Sequence, residues 1–180
     1  MILMPGKVAA IALLCVSLAA AGKSPELRFD PAHPPHAGDE GVFFGPLVRV
    51  KDGDSLVAKV QGVEMEFRLS DIEAPELDQP YGREAKRELA ALAAGKQLVL
   101  KPFDTDRYGR TVVHIWNGST HINAELVRRG AAWFYPEFAR DPTLYDVEQQ
   151  ARDAKRGLWS LPLPDRVEPH VWRERKRSRN

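Results

Sequence analysis

The sequence predicts an α+β fold, a small closed antiparallel β-barrel accompanied by about three helices. Three observations carry that expectation. Val48, Val50, Leu56, Val57, Val60, Phe67, Leu69 and Ile72 fall in short apolar runs that suit strands burying one face. Asp52-Gly53 and Asn117-Gly118 interrupt such runs, and Asp-Gly or Asn-Gly tolerates the left-handed backbone that a tight hairpin turn needs. Apolar residues at helical spacing begin only at Tyr81, so strands come first and helices later.

At the N-terminus, residues 1–21 carry a single charge, Lys7, then an apolar run from Val8 to Ala21 that closes on Ala19-Ala20-Ala21. The run is shorter than the roughly 20 residues of a membrane span. A basic start, an apolar middle and small residues at the end make a cleavable export signal. The expected mature chain starts near Gly22 and is exported, to the periplasm or the medium. Cleavage there removes Cys15, the single cysteine, so no disulfide framework, thiolate metal site or cysteine nucleophile remains. Residues 22–41 read as a linker with Pro25, Pro31, Pro34 and Pro35. His33 and His36 are expected to be solvated spacers there, because no second ligand pair stands at a metal-binding spacing.

Residues 42–163 are expected to form the domain. Ala85, Leu89 and Leu92 recur on one helical face between Tyr81 and Ala94, and Gly95 ends that helix. Lys96 to Phe103 and Thr111 to Trp116 return to strand character. Asn123 is expected to cap a helix through Leu126 and Val127 that stops at Gly130. A last helix is expected from Leu144 to Arg156, stopped by Gly157.

Charge narrows the function classes. Lys and Arg number 26 against 25 Asp and Glu, for a formal net charge of +1, so the overall basic footprint of a tight non-specific nucleic-acid binder is absent. A small basic cleft beside acidic ligands remains open. The local exception is the end of the chain, where Arg173, Arg175, Lys176, Arg177 and Arg179 face a single acid, Glu174. Residues 164–180 are expected to be a basic tail that touches phosphate loosely, if at all.

The chemistry-bearing stretch runs from Arg49 to Glu76. Asp52 and Asp54 alone would only build a hairpin turn. Arg68 at the end of one strand, followed by Glu73 and Glu76 in a turn broken by Pro75, is harder to explain by folding. Oxygen ligands without sulfur or imidazole favour Ca²⁺ or Mg²⁺ over transition metals, and two carboxylates, a loop carbonyl and waters suit Ca²⁺. A third carboxylate beside a water can act as general base. Arg68 and Arg110 can grip phosphate oxygens in bidentate fashion and stabilise developing negative charge. Ion pairing on an acidic surface is the alternative for both. The combination points to metal-assisted phosphodiester hydrolysis.

Several segments, in chain order, resemble the staphylococcal nuclease (thermonuclease) family. They are Val50-Lys51-Asp52-Gly53-Asp54-Ser55, Phe67-Arg68-Leu69 through Ala74-Pro75-Glu76, Tyr81-Gly82-Arg83-Glu84-Ala85, and Asp106-Arg107-Tyr108-Gly109-Arg110. The likeness continues through residues 123–133 and Arg156-Gly157-Leu158-Trp159. It implies an OB-fold, a five-stranded Greek-key barrel, and Ca²⁺-dependent cleavage of DNA and RNA. By position, Asp54 resembles the aspartate metal ligand and Ala74 the residue lending a carbonyl, with Glu73 as the second carboxylate. Arg68 and Arg110 match the phosphate-binding arginines and Glu76 the general base. Tyr108 lies where the family packs an aromatic residue near the nucleotide, a core position being the alternative. Ser55 replaces a common threonine and keeps the hydroxyl. Glu73 stands where the family usually has aspartate, which lengthens the reach by roughly 1.5 Å. Asp71 is a candidate replacement ligand, with an exposed loop position as its alternative. A barrel of this kind that binds nucleic acid without cutting is the alternative function.

Overall fold

The computed structural model describes residues 35, 39 and 41–179 apart from 96. The export signal expected at 1–21, Cys15, His33, His36 and nearly all of the 22–41 linker lie outside the described residues.

Strands β1 (Phe43–Val50), β2 (Ser55–Val60) and β3 (Val63–Leu69) form an antiparallel meander. They are followed by β4 (Ile72–Glu73), α1 (Gly82–Ala93), β5 (Gln97–Thr105), β6 (Thr111–Asn117) and β7 (Thr120–His121). The chain continues through α2 (Ile122–Arg128), β8 (Trp133–Phe134), α3 (Leu144–Asp153) and α4 (Pro169–Arg177). The order β3-β2-β1-β5-β6 closes on itself because β6 also pairs with β3. The result is the α+β barrel expected from the sequence. Its closing pair departs from the antiparallel expectation: Phe67, Arg68 and Leu69 run parallel to Thr111, Val112 and Val113. Parity is the reason, since up and down cannot alternate around a ring of five strands.

Phe67, Leu69, Leu100, Val113 and Ile115 point into the barrel, each at most 1% exposed. Burying one such side chain contributes about 1.5–3 kcal/mol. Helix α1 covers the barrel with Ala85, Leu89 and Ala93, which share one face at successive turns. Helix α2 adds Leu126 and Val127 to the same core. A smaller cluster of Trp133, Ala151, Leu158 and Trp159 anchors α3.

The turns follow local signals. Lys51 N–H donates to the Ser55 carbonyl at 2.9 Å around the Asp52-Gly53 hairpin. Asn117 opposes Thr120 around Gly118, whose φ is +63°. Gly130, at φ +66°, stops the chain after α2. Three expectations change. Val48 is 39% exposed, on the outer face of β1. Asn123 lies inside α2 as a buried cross-link: its Oδ1 accepts from Ile115 N–H, and its Nδ2 donates to the Ser70 and Val113 carbonyls. The basic tail contains a fourth helix, α4, which is docked against the domain.

Candidate active site

The parallel seam assembles the basic half of the site. Arg68 lies opposite Ser55 on one side and Val112 on the other, while Arg110 immediately precedes β6. Asp54, Arg68 and Arg110 thus reach one mouth of the barrel from three separate stretches of chain. Arg68 Nη1 and Nη2 donate to the Leu69 and Ile72 carbonyls at 2.6 and 2.9 Å, and Nη2 is 3.2 Å from Asp54 Oδ2. The Ser55 hydroxyl donates to Asp54 Oδ1 at 3.3 Å and accepts from Arg110 Nη1 at 3.3 Å. A polar chain therefore runs from Arg110 through Ser55 and Asp54 to Arg68, and it uses the hydroxyl that Ser55 shares with threonine.

Asp106 orients Arg110, its Oδ2 accepting Nε–H at 2.7 Å. Burial alone would raise the Asp106 pKa, but hydrogen bonds from the Arg110 backbone and guanidinium outweigh it and hold the carboxyl below the usual carboxylate range. Tyr108 is 73% exposed, which excludes a core position, and its ring lies 5.4 and 5.6 Å from the guanidinium carbons of Arg107 and Arg110. Such a face suits stacking against a base.

The acidic half hangs on Asp71, which is buried and structural. It takes the left-handed conformation (φ 66°), which turns the chain sharply between β3 and β4. Its carbonyl accepts Tyr135 N–H, and its Oδ2 accepts Arg140 and Asp141 N–H at 2.9 and 2.7 Å. The same Oδ2 is 3.2 Å from His114 Nε2. At 4% exposed, Asp71 is not an exposed loop aspartate, and its Oδ2 already serves two backbone N–H groups and lies beside His114. His114 Nδ1 in turn meets His121 Nε2 at 2.8 Å, against Trp116.

Beyond this hinge, Glu73 is fixed by the short β4–β8 pair, opposite Trp133. Ala74 N–H donates to Asp54 Oδ2 at 2.7 Å and ties the loop to the hairpin. Gly53 permits that approach, because a Cβ there would fall 2.5 Å from the Ala74 Cβ and 2.8 Å from that of Ala85. Gln79 accepts Glu76 N–H at 3.1 Å and donates to the Val167 carbonyl.

Asp54, Glu73, Ala74 and Glu76, with Arg68, Tyr108 and Arg110, all line a single cleft of about 810 Å³. Asp52 lines it too. Burial and, after it, the neighbouring Asp54 charge raise its carboxyl above the ordinary range. The Asp52 and Asp54 carboxylates are hard oxygen donors that fit a divalent cation, and Arg68 already sets one positive charge 3.2 Å from Asp54 Oδ2. Among the described residues, no group of three or more His, Cys, Asp or Glu side chains is drawn together as a metal site. A cation here would rely on two carboxylates with backbone and water oxygens.

One cleft residue has no local sequence signal. Arg173 of α4 extends Nη1 to Glu76 Oε1 and Nη2 to Glu73 Oε1, both at 2.7 Å, from 97 and 100 residues away.

Residues 66–161 match the family model described as Staphylococcal nuclease homologue, a segment that begins after Asp54 and ends before α4. An "Uncharacterized endonuclease" of Escherichia coli is 40% identical over 135 residues, spanning 74% of this chain and 87% of that protein. A "Micrococcal nuclease" of Shigella flexneri is 35% identical over 142 residues, 73% of this chain and 80% of its own length. An "Uncharacterized endonuclease" of Haemophilus influenzae is 33% identical over 132 residues, 73% of each chain.

Proposed function

The chain belongs to the staphylococcal nuclease family, and we propose that it hydrolyses phosphodiester bonds in DNA, RNA or both, with Ca²⁺ as cofactor. The observation that carries this reading is the meeting of Arg68 and Arg110 at the barrel seam, in one cleft with Asp54, Glu73 and Glu76.

Arg68 and Arg110 bind the non-bridging oxygens of the scissile phosphate. Their planar forks hold it in register and neutralise the charge that grows as the phosphorus becomes five-coordinate. Asp106 and Ser55 keep the Arg110 guanidinium aimed before substrate arrives, so little reorganisation is needed. Glu76 takes a proton from the attacking water at its carboxylate as the new P–O bond forms. The opposite P–O bond breaks, and the leaving oxygen takes a proton from solvent. Tyr108 stacks on a neighbouring base and positions the strand. Asp54 and Glu73, with the Ala74 carbonyl, would hold the divalent cation. When bound, that ion supplies positive charge to a phosphate oxygen.

Incubating the purified protein with plasmid and with RNA, in Ca²⁺, Mg²⁺ or chelator, tests the reading. Cleavage that needs Ca²⁺ is expected. Binding of nucleic acid without cleavage under any metal would replace the hydrolase by a binding module.

A further inference from the structure

We propose that α4 is an autoinhibitory latch in which the Arg173 guanidinium occupies, on Glu73, the position of the divalent cation and withholds Glu76 from its water. The inference rests on the metal role proposed for Glu73, and it concerns a helix outside the matched segment 66–161.

The contact is specific. A single guanidinium reaches two carboxylates with different proposed tasks, one cation ligand and one base, at 2.7 Å each. While paired, Oε1 of Glu73 is filled by a guanidinium nitrogen where a cation would sit, and Oε1 of Glu76 faces Arg173 in place of a water. The helix is held on this loop by further bonds. Trp172 Nε1 donates to Asp78 Oδ1 at 3.2 Å, and Lys176 Nζ to Asp78 Oδ2 at 2.6 Å. Gln79 holds the Val167 carbonyl just before α4. These anchors all lie within residues 73–79, so the latch grips the segment that carries Glu73 and Glu76.

The contact is also built to release. The Arg173–Glu76 and Lys176–Asp78 pairs are solvent-exposed, and ion pairs at such sites are individually weak and salt-sensitive. Calcium competes for the same oxygens. If the latch is closed about nine-tenths of the time, the apparent affinity for the cation falls about tenfold.

Calorimetric calcium titration of the full chain and three variants tests this. Arg173→Gln should bind Ca²⁺ about tenfold more tightly than the parent. Asp78→Asn, which loosens the other anchor without touching the cleft carboxylates, should tighten binding by roughly two- to threefold. Arg175→Gln, on the same helix, should match the parent and control for lost positive charge. Calcium should also accelerate amide hydrogen exchange across α4 in the parent. Equal or weaker binding by Arg173→Gln overturns the latch and leaves the metal reading standing. Lost cleavage with unchanged calcium affinity would instead make Arg173 a substrate-phosphate ligand, again against the latch. If neither the parent nor Arg173→Gln binds calcium, the metal reading falls and takes the latch with it.

Discussion

Asp106 grips Arg110 at both ends of the residue: its Oδ2 accepts Nε–H at 2.7 Å, and its Oδ1 accepts the backbone N–H at 2.9 Å. Asp106→Asn keeps the loop-forming oxygen but loses the charge that fixes the guanidinium. Turnover should fall about ten- to a hundredfold, as for other misplaced catalytic groups, with the melting temperature little changed. Arg110→Lys and Arg68→Lys should fall further, because lysine lacks the two-donor fork. Steady-state kinetics beside circular dichroism separate the two effects. Near-normal rates in both lysine variants would make the arginines structural.

Glu73→Asp withdraws the carboxylate from Arg173 and shortens its reach by roughly 1.5 Å. Calcium-dependent cleavage is expected to be equal to the parent's or higher. Glu73→Ala should weaken calcium binding and remove most activity, on the order of a hundredfold. Calorimetry with parallel cleavage assays measures both. Unaltered binding and cutting in Glu73→Ala would exclude Glu73 as a ligand. Asp52 would then be the candidate, since Asp71 is committed to His114 and two backbone N–H groups.

Gly53→Ala places a methyl group against Ala74 and Ala85. Overpacking of this kind costs about 1–3 kcal/mol, and here it also pushes the Ala74 loop away from Asp54. Denaturant unfolding should show the loss, and kcat should fall along with it. A variant as stable and active as the parent would show that the hairpin and loop are free to separate.

Acid should destabilise the protein from about pH 6.5 downward. Burial, and then the neighbouring His114, push the His121 imidazole down to about 3. The unfolded chain binds a proton at His121 near pH 6.5, whereas the native protein does not until about pH 3. Stability from this group is therefore lost as pH falls, by about 1.4 kcal/mol per pH unit across that window. Urea unfolding at stepped pH values reads the slope. His121→Gln should flatten it while lowering stability at neutral pH. An unchanged slope in His121→Gln would assign the acid lability elsewhere.

What could be read in advance was local. Asn117-Gly118 and Gly130 act within a few residues, and each glycine takes the left-handed backbone that its turn or stop needs, whereas Gly53 does not and is required only by the close approach of Ala74 and Ala85. The face of α1 followed from spacing alone. What escaped was set by residues distant in the chain. Asn123 has the side chain of a helix cap, yet its three bonds reach β6 and the end of β3. Asp71 resembles any loop aspartate until Arg140 and Asp141 arrive from a separate segment. Arg173 belongs to a run of basic residues, and only the docking of α4 singles it out. All seven candidate site residues share one cleft, but the cation already facing two of them left no mark in the sequence.

The parallel seam also ties the joining of Arg68 and Arg110 to completion of the barrel. β1, β2 and β3 pair through neighbouring hairpins, whereas Arg68 meets Val112 across an intervening stretch that includes α1 and β5. Such a distant pairing carries a larger loop-closure cost and belongs late in folding. Until that pairing forms, Arg68 and Arg110 sit on unconnected pieces of chain, so a phosphate gripped by both should be a property of the closed barrel alone.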